Sequence, residues 1–336
     1  MHMADAFIAP AVAITMYTTS GIAAGISVKR VEYQEDAKKV PLMGVMGAFV
    51  FAAQMINFTI PGTGASGHLA GGILLAAVLG PYAGFLTLSC VLMIQSLLFA
   101  DGGLLALGCN IWNLAFYGCI LGGFLILRPI FSRGITKRRI IAASMIGSIL
   151  TLQLGAFSVV AETTISGVSE LTFLPFLSLM QPIHLAIGIV EGLITSAVLC
   201  FVHEMRPELI WGAKDSNFIG RTGDKVSVKQ LLAILMSGAI VMAGFLSYFA
   251  SAKPDGLEWS IQNTISNTET QISGLIYSIS SKIQSVFSIF PDYTVGGSES
   301  VASGSLAGIF GALLVFAFCI FLLRVLKRFK RKRIHE

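Results

Sequence analysis

The chain has 336 residues, of which 54% are apolar and only 12% are charged, and its mean hydropathy is +0.78. Soluble domains carry roughly a quarter charged residues, so this composition excludes an ordinary soluble protein and indicates several membrane-spanning segments. The formal charge of +5 does not indicate nucleic-acid binding, because the basic residues fall at the ends of apolar runs. All five cysteines lie inside apolar runs without metal-site spacing, which is typical of packing residues.

The N-terminus reads MHMADAFIAP and carries no lysine or arginine. A secretory signal peptide would show a basic region, an apolar run and a small-residue cleavage site, so the sequence predicts no cleaved leader. Enzymes that remove the start methionine need a small second residue, and His2 is bulky. We therefore expect Met1 to keep a free α-amino group directly beside the imidazole of His2.

Apolar runs of the length of a membrane helix predict an all-α integral membrane protein with about nine spans. Seven spans form a first bundle in residues 1–205, and two more belong to a C-terminal module at 229–336. A polar cytoplasmic linker, 206–228, joins the modules, and an external segment at 251–303 includes a helix-like run at 259–290. The predicted spans are 9–28, 41–58, 69–80, 82–100, 104–127, 140–161, 183–203, 229–250 and 304–323.

The positions of lysine and arginine predict the orientation in the membrane. Of the 23 basic residues, 21 fall in four segments between or after the spans. If the chain crosses the membrane nine times, all four segments lie on the same side. Because basic loops stay in the cytoplasm, the N-terminus is predicted outside the cell membrane and the C-terminus inside. The basic C-terminal tail can also contact anionic membrane lipid.

Two segments are expected to enter the bundle from outside. Residues 69–80 rise only about 18 Å as a helix against a hydrocarbon core near 30 Å, so the loop IPGTGASGH before them must dip inward. Residues 1–9 can reach up to about 30 Å when extended. Each segment carries a histidine, and we expect His2 and His68 to meet at a similar depth.

The first two residues offer a chelate for a metal ion. The α-amine of Met1, the deprotonated amide nitrogen of His2 and the His2 imidazole lie in one plane, and His68 is a natural fourth donor. Square-planar nitrogen coordination is typical of Ni(II) or Cu(II), and Co(II) is close to Ni(II) in size. The alternative interpretation is a solvated terminal His2 and a hydrogen-bonded helix-end His68.

Four motifs carry a family resemblance. MHMADAF, GTGASGHLAGGILLAAVLGP, LLFADGGLLALGCNIWN and QPIHLAIGIVEGLITS resemble the metal-capture subunits, of CbiM/NikM type, of cobalt and nickel energy-coupling-factor transporters. Ala6 departs from the family, which usually has glycine there. The resemblance implies that Met1, His2 and His68 hold the metal. The final third resembles the CbiN/NikN-like accessory subunit through PDGLE at 254–258, so the chain looks like a fusion of both.

The resemblance also implies partners: a transmembrane coupling subunit and separate ATP-binding subunits. The sequence has no GxxxxGK[ST] phosphate loop, so the chain is not expected to be an enzyme. Gly21, Ala24 and Gly25 form a face of small residues on span 1. Such a face permits close helix approach, either within the bundle or to the coupling subunit.

Ionisable and amide side chains inside spans are functional candidates by default. Asp5 can anchor the N-terminal segment to backbone amides, and Asp101 can cap span 5. The two asparagines of span 5 can bond across helices or orient the N-terminus, and the histidine and glutamate of span 7 can form a structural network. The functional alternative for each is support of the metal-binding imidazoles. The candidates are Asp5, Asp101, Asn110, Asn113, His184 and Glu191.

The predicted function is uptake of Ni²⁺ or Co²⁺, with nickel slightly favoured, as the transported substrate and with no organic cofactor. Two alternatives stay open. One is a stand-alone proton-coupled metal transporter that uses Glu191, His184 and Asp101 as a proton relay. The other is a metal receptor without transport.

Overall fold

A computed structural model describes residues 1–31, 39–212, 226–265, 274–296 and 300–335. These residues are mostly helical. Lys38, Lys214, Arg221 and Lys225, which contribute to the predicted orientation, lie outside the described residues, as do parts of the predicted linker and external segment.

The first part of the chain forms a bundle of seven helices and one small hairpin. The hairpin pairs β1 (Phe58–Thr59) with β2 (Ser66–Gly67) in antiparallel fashion. The helix at Leu107–Phe131 is π-helical over Ile111–Leu121 and Gly123–Leu127. The helices are α1 (Pro10–Arg30), α2 (Lys39–Gln54), α3 (Gly72–Leu79), α4 (Pro81–Leu98), α5 (Leu107–Phe131), α6 (Lys137–Ser166) and α7 (Phe173–Met205).

The C-terminal part adds two long helices and two short ones. They are α8 (Val228–Gly244), α9 (Gly256–Gln262), α10 (Leu275–Phe287) and α11 (Val301–His335). Both α8 and α11 pack against α2. A Cβ atom on Gly311 would lie 2.3 Å from the Phe51 ring, so α11 approaches α2 closely at this glycine.

Within the described residues, six helices are long and apolar enough to cross a membrane: α1, α4, α5, α6, α7 and residues Ala302–Leu322 of α11. The apolar helices α2 and α8 are shorter. The prediction of a mostly helical, multi-spanning protein is confirmed. Some observed helices begin or end at other residues than the predicted spans. The α7 helix begins ten residues before the predicted 183, because Pro182 is accommodated inside it. In the described part of the predicted run 259–290, one helix ends at Gln262 and another extends over Leu275–Phe287.

The short helix α3 lies inside the bundle. Its eight residues rise about 12 Å, and all of them are buried. The helix starts after Gly71, whose φ of 78° is a left-handed conformation that suits glycine. A Cβ on Gly72 would lie 2.7 Å from the Cα of Gly118 in α5, so two glycines let the backbones touch. The helix is too short to span a membrane, as expected from the sequence.

The bundle has two chemically different ends. Residues 1–9, called here the N-terminal arm, lie at one end, named the arm end. About 30 Å away along α1, Arg30, Lys39 and Trp211 line a cavity of about 190 Å³. Basic side chains therefore gather at the end of the bundle remote from the arm.

Candidate metal centre

The N-terminal arm is packed into the bundle. Met1 is only 5% exposed, and Met3 and Ile8 are fully buried. Pro10 occupies the first turn of α1, where its missing N–H costs no hydrogen bond, so the chain enters the helix directly from the arm. The amino end of the protein is thus an interior group.

Asn110 of α5 holds the arm through its backbone. The Met3 amide donates to Asn110 Oδ1 at 2.8 Å, and Asn110 Nδ2 donates to the Met3 carbonyl at 3.2 Å. The same carbonyl accepts from the Gly103 amide at 2.8 Å. Asn110 therefore orients the arm, which is one of the two roles predicted for it.

Asp5 anchors the arm at its turn. Its Oδ1 accepts from the Ala106 amide at 3.0 Å, and its Oδ2 accepts from the Ser280 hydroxyl at 2.6 Å. A Cβ on Gly103 would stand 1.9 Å from Asp5 Oδ1, so only glycine fits there. The predicted contact of Asp5 with backbone amides is present at Ala106.

The N-terminal nitrogen meets His68 and Asp255. It lies 3.1 Å from His68 Nε2 and donates to Asp255 Oδ2 at 2.7 Å. His68 Nδ1 lies 3.0 Å from the Leu69 carbonyl, which can only accept, so Nδ1 carries the proton. The lone pair of Nε2 consequently faces the N-terminus.

The two predicted imidazoles are adjacent. The rings of His2 and His68 stack with centroids 5.1 Å apart and planes 9° from parallel. His2 Nδ1 contacts Asp101 Oδ1 at 3.2 Å, and His2 Nε2 is buried without a hydrogen-bond partner among the described residues. The site thus contains an orphaned nitrogen beside a neutral imidazole.

The interpretation of Asp101 as the cap of span 5 is not supported by the structure. The helix begins only at Leu107, and its N-cap, Ala106, has no side-chain cap. Instead Asp101 takes the His2 contact and accepts from the Tyr293 hydroxyl at 2.5 Å. Its role is therefore to tie His2 to the C-terminal part of the chain.

The ionisation states of Asp101, Asp255 and His68 depend on burial and on neighbouring groups. Burial alone would raise the pKa of Asp101, but His2 and the Tyr293 hydroxyl outweigh it and hold that pKa well below its usual range. Burial likewise opposes ionisation of Asp255, but the N-terminal charge, which also donates a hydrogen bond to this carboxylate, brings its pKa below normal. Burial, reinforced by the N-terminal charge, lowers the pKa of His68 to about 3. Both carboxylates are thus ionised and His68 is neutral near pH 7.

The PDGLE segment carries Asp255 into this position. Asp255 caps α9: it accepts from the Glu258 amide at 2.8 Å, and Glu258 Oε2 accepts from the Asp255 amide at 3.3 Å. The Ser66 amide of the hairpin donates to the Pro254 carbonyl at 2.8 Å. A Cβ on Gly256 would lie 2.6 Å from Ile183 of α7, so this glycine allows close docking.

A polar cavity of about 390 Å³ lies over these groups. Its wall combines the arm, the segments that flank the hairpin, the turn between α4 and α5, and the C-terminal part. Its charged and imidazole side chains are those of His2, Asp5, His68, Asp101, Lys253, Asp255, Glu258 and Asp292.

Asn113 leads to a carboxylate that the sequence reasoning missed. Its Nδ2 donates to Glu162 Oε2 at 2.8 Å and lies 4.0 Å from Met3 Sδ. Glu162 of α6 is only 7% exposed. Glu162 lies one residue beyond the predicted span 140–161, so the search for ionisable residues inside spans does not reach it, although the observed helix continues to Ser166. Asp255 lies in the PDGLE motif, but the motif alone does not mark it as a site residue.

Glu191 and His184 do not form the mutual network considered from sequence. Glu191 accepts from the amides of Ala70 at 2.7 Å and Gly71 at 3.1 Å, so it holds the backbone that follows His68. His184 Nδ1 lies 2.8 Å from the Met180 carbonyl, and its Nε2 has no described partner. Glu191 supports the site through the backbone, whereas His184 packs beneath the PDGLE segment.

Small residues on α1 leave an open face. Gly21 and Gly25 are exposed, and a Cβ on either would meet nothing within 4 Å. Ala24 is half-buried against the bundle core. Packing within the described bundle therefore does not account for these two glycines.

Comparisons with known proteins agree with this architecture. Residues 2–209 match the family model CbiM, described as the cobalt uptake substrate-specific transmembrane region, and residues 229–328 match the PDGLE domain. The chain is 31% identical to a putative fused nickel transport protein NikMN of Archaeoglobus fulgidus, over 94% of this chain and 96% of the relative.

Two further similarities cover the same regions. A probable fused nickel transport protein LarMN of Lactiplantibacillus plantarum is 28% identical over 95% of this chain and 96% of its own length. The crystal structure of a truncated transition metal transporter is similar with a TM-score of 0.52 and 31% identity, covering 61% of this chain and 99% of that one. The chain therefore belongs to the CbiM family and is a multi-pass membrane protein of metal transport, not an enzyme.

Proposed function

We propose that this chain is the substrate-specific subunit of an energy-coupling-factor transporter and takes up Ni²⁺ or Co²⁺ from outside. Met1, His2 and His68 supply the nitrogen ligands. The observation that carries the proposal is the burial of the N-terminal nitrogen 3.1 Å from the lone pair of His68 Nε2.

This separation suits two ligands of one ion. Metal–nitrogen bonds of about 2.0 Å at right angles place two donors roughly 2.9 Å apart. His68 is already neutral and needs no proton release. The N-terminal ammonium must lose a proton before it can bind, which is usual for metal ligands. A coordinated amine still has two N–H groups, so the hydrogen bond to Asp255 can persist in the loaded site.

In this proposal His2 joins the metal ligands by exchanging its contact with Asp101 for the ion. Its Nδ1, which the chelate requires, now contacts Asp101, so loading exchanges that carboxylate for the ion. The His2 amide nitrogen, once deprotonated, is the fourth donor. Four nitrogens in a plane favour Ni(II) over Co(II), and exposure of the purified protein to equimolar Ni(II) and Co(II) tests this preference.

Uptake needs partners that supply energy. A chelate with four nitrogens does not release its ion unaided, so separate ATP-binding subunits and a transmembrane coupling subunit must withdraw the arm from His68. The exposed Gly21 and Gly25, with Ala24, are the proposed contact for the coupling subunit. In this arrangement the arm end faces outward and the basic end faces the cytoplasm.

The two modules have separate tasks in this proposal. Residues 1–205 bind the metal, 206–228 connect the modules on the cytoplasmic side, and 229–336 form the accessory module. Its external segment, 251–303, covers the cavity through Asp255 and Tyr293. Loading and release of the metal then require this cover to move.

Two added residues before Met1 test the ligand set, because a single one would create an X-X-His terminus whose amine, two amides and imidazole chelate nickel without His68. The two-residue extension moves the amine out of the chelate with His2 and should abolish high-affinity nickel binding, measured by calorimetry on the purified chain. An equal extension at the C-terminus is the control. Unchanged affinity in the N-terminally extended protein would remove the basis of the proposal.

The proton-relay alternative makes the opposite prediction. It requires Glu191 more than His2 and predicts uptake into vesicles that lack ATP-binding subunits. Glu191 accepts two backbone amides, which accounts for its burial without a relay. The metal-receptor alternative predicts metal binding without uptake under any of these conditions. Uptake assays comparing H2A with E191Q, with and without the ATPase subunits, separate these functions.

A further inference from the structure

The short helix α10 presents three different faces. At about 100° per residue, Tyr277, Ser280 and Gln284 share an arc of about 60° that points to the bundle. Ser278, Ser281, Lys282 and Ser285 occupy an exposed polar arc of about 100°. The remaining arc, about 120° wide, is apolar and consists of Leu275, Ile276, Ile279, Ile283, Val286 and Phe287.

The apolar face of α10 is left open by the described residues. Its side chains are 41% to 75% exposed, with Leu275 and Val286 the most exposed. The polar side chains on the bundle side are more buried, and Ser280 is only 7% exposed. This distribution is the reverse of that in a soluble surface helix, whose apolar face packs inward.

The inward face of α10 holds the arm and the turn that carries Asp101. Tyr277 donates to the Ile8 carbonyl at 2.8 Å, and Ser280 donates to Asp5 at 2.6 Å. Gln284 donates at 2.9 Å to the carbonyls of Ser96 and Gly102. The position of α10 is therefore fixed beside the start of α1 and the end of α4.

That position is the level at which α1, a helix long and apolar enough to cross a membrane, begins. Ile8 lies two residues before the start of the membrane helix α1. Further along α1, Ile14 is 63% exposed and Ile22 is 59% exposed, as expected for a lipid-facing helix. The apolar face of α10 thus lies at the level of the exposed apolar residues of α1, and the centre of its polar arc is turned about 130° away from that of the apolar arc.

We propose that α10 is an interfacial helix whose apolar face inserts into the lipid leaflet at the arm end, while its inward face clamps the N-terminal arm. Amphipathic helices lie in the plane of the interface with the apolar side in the acyl region and the polar side in water. The polar arc carries a single charge, on Lys282, so burial of apolar area drives insertion rather than attraction to anionic headgroups. The lipid contact does not depend on the proposed metal chemistry.

Depth-dependent quenching tests the insertion. Val286→Cys and Ser281→Cys place one environment-sensitive fluorophore on the apolar and polar arcs of the full chain, in liposomes that contain lipid spin-labelled at a shallow acyl carbon. The native cysteines are buried or half-buried, and the labelled unsubstituted protein gives their background. We expect at least threefold stronger quenching, with blue-shifted emission, at position 286.

Equal, water-like emission at both positions would overturn the proposal. So would a shielded position 286 that the lipid quencher does not reach, because a protein partner would then cover this face. Cross-linking of Val286→Cys chains by a bismaleimide into dimers would identify a second copy as the occupant and would equally contradict the lipid contact.

The clamp is tested separately by hydrogen exchange in the arm. Ile279→Ser with Val286→Ser weakens insertion without touching the inward face, and we expect amide exchange in residues 3–8 to become severalfold faster. Ser278→Ala with Ser281→Ala is the matched control and should leave it unchanged. Equal exchange in both proteins would show that lipid insertion does not stabilise the arm.

Discussion

Asp255 Oδ2 lies 2.7 Å from the N-terminal nitrogen, although the two residues are 254 positions apart along the chain. The contact is a charge-assisted hydrogen bond of ordinary length, and Asp255 is itself held by its capping box with Glu258. The carboxylate therefore fixes the direction of the amine relative to His68 before any ion arrives.

Asp255→Ala is predicted to weaken nickel binding about 10- to 100-fold, the usual effect of removing a group that orients a ligand. Asp255→Asn keeps an acceptor oxygen and should lose less. Calorimetry on the purified full chain measures both. Asp292→Asn alters a carboxylate in the same cavity wall and serves as the control. Equal affinities for all three variants would contradict a positioning role for Asp255.

Gly103→Ala is predicted to dislodge the arm, because the new methyl group would stand 1.9 Å from Asp5 Oδ1. We expect at least a tenfold loss of nickel affinity with little change in the melting temperature of the bundle. Gly21→Ala adds a methyl group where nothing lies within 4 Å, and it should bind nickel normally. A Gly103→Ala protein with unaltered affinity would refute the close fit of Asp5.

The meeting of His2 and His68 could be predicted from sequence, whereas the role of Asp255 could not. The first follows from span lengths and from the chemistry of an N-terminal Met-His pair. The second depends on packing between two modules, which no local pattern encodes. PDGLE contains the D-x-x-E spacing of a capping box, which predicts a helix start at Asp255. The same spacing does not predict that Asp255 contacts Met1.

At the scale of elements, α3 depends on α7 for its position. Glu191 accepts the amides of Ala70 and Gly71, which precede α3 and follow His68. Buried amides without an acceptor cost about 1–3 kcal/mol each. The carboxylate thus links the stability of a short buried helix to the geometry of the candidate site.

Glu191→Ala is predicted to lower the free energy of unfolding by about 2–4 kcal/mol, because two buried amides lose their acceptor. Glu191→Gln retains one acceptor oxygen and should lose less. Thermal unfolding in detergent measures both, with the exposed Glu170→Gln as the control. Full stability of Glu191→Ala combined with complete loss of uptake would favour a proton-relay role instead.

The predicted helices differ from the observed ones mainly at their ends. Hydropathy detects apolar runs, so the cores of α1, α4, α5 and α6 were predictable. It does not detect the hairpin that ends α2 at Gln54 or the accommodation of Pro182 inside α7. Helix ends are decided by tertiary contacts and backbone hydrogen bonds rather than by composition.

At the scale of the whole molecule, the C-terminal part of the chain lines the cavity at the arm end of the bundle. Asp255 contacts Met1, and Tyr293 contacts Asp101, which in turn contacts His2. Asp255 and Tyr293 are both far along the chain from the residues that they contact. The C-terminal part and the N-terminal arm therefore form one hydrogen-bonded unit. If the proposed ligand set is correct, a change that displaces the PDGLE segment is expected to alter how the site retains an ion.

Gly256→Val tests this dependence without altering any proposed ligand. Its side chain would enter the space within 2.6 Å of Ile183 and 3.3 Å of His184, so the PDGLE segment must move away from α7. We predict severalfold faster loss of nickel to an added chelator, followed by absorbance of the chelate. Gly304→Ala, where a Cβ meets only the Tyr293 carbonyl at 4.0 Å, is the control and should release nickel at the original rate. An unchanged release rate in the Gly256→Val protein would mean that the ion escapes by a route the PDGLE segment does not cover.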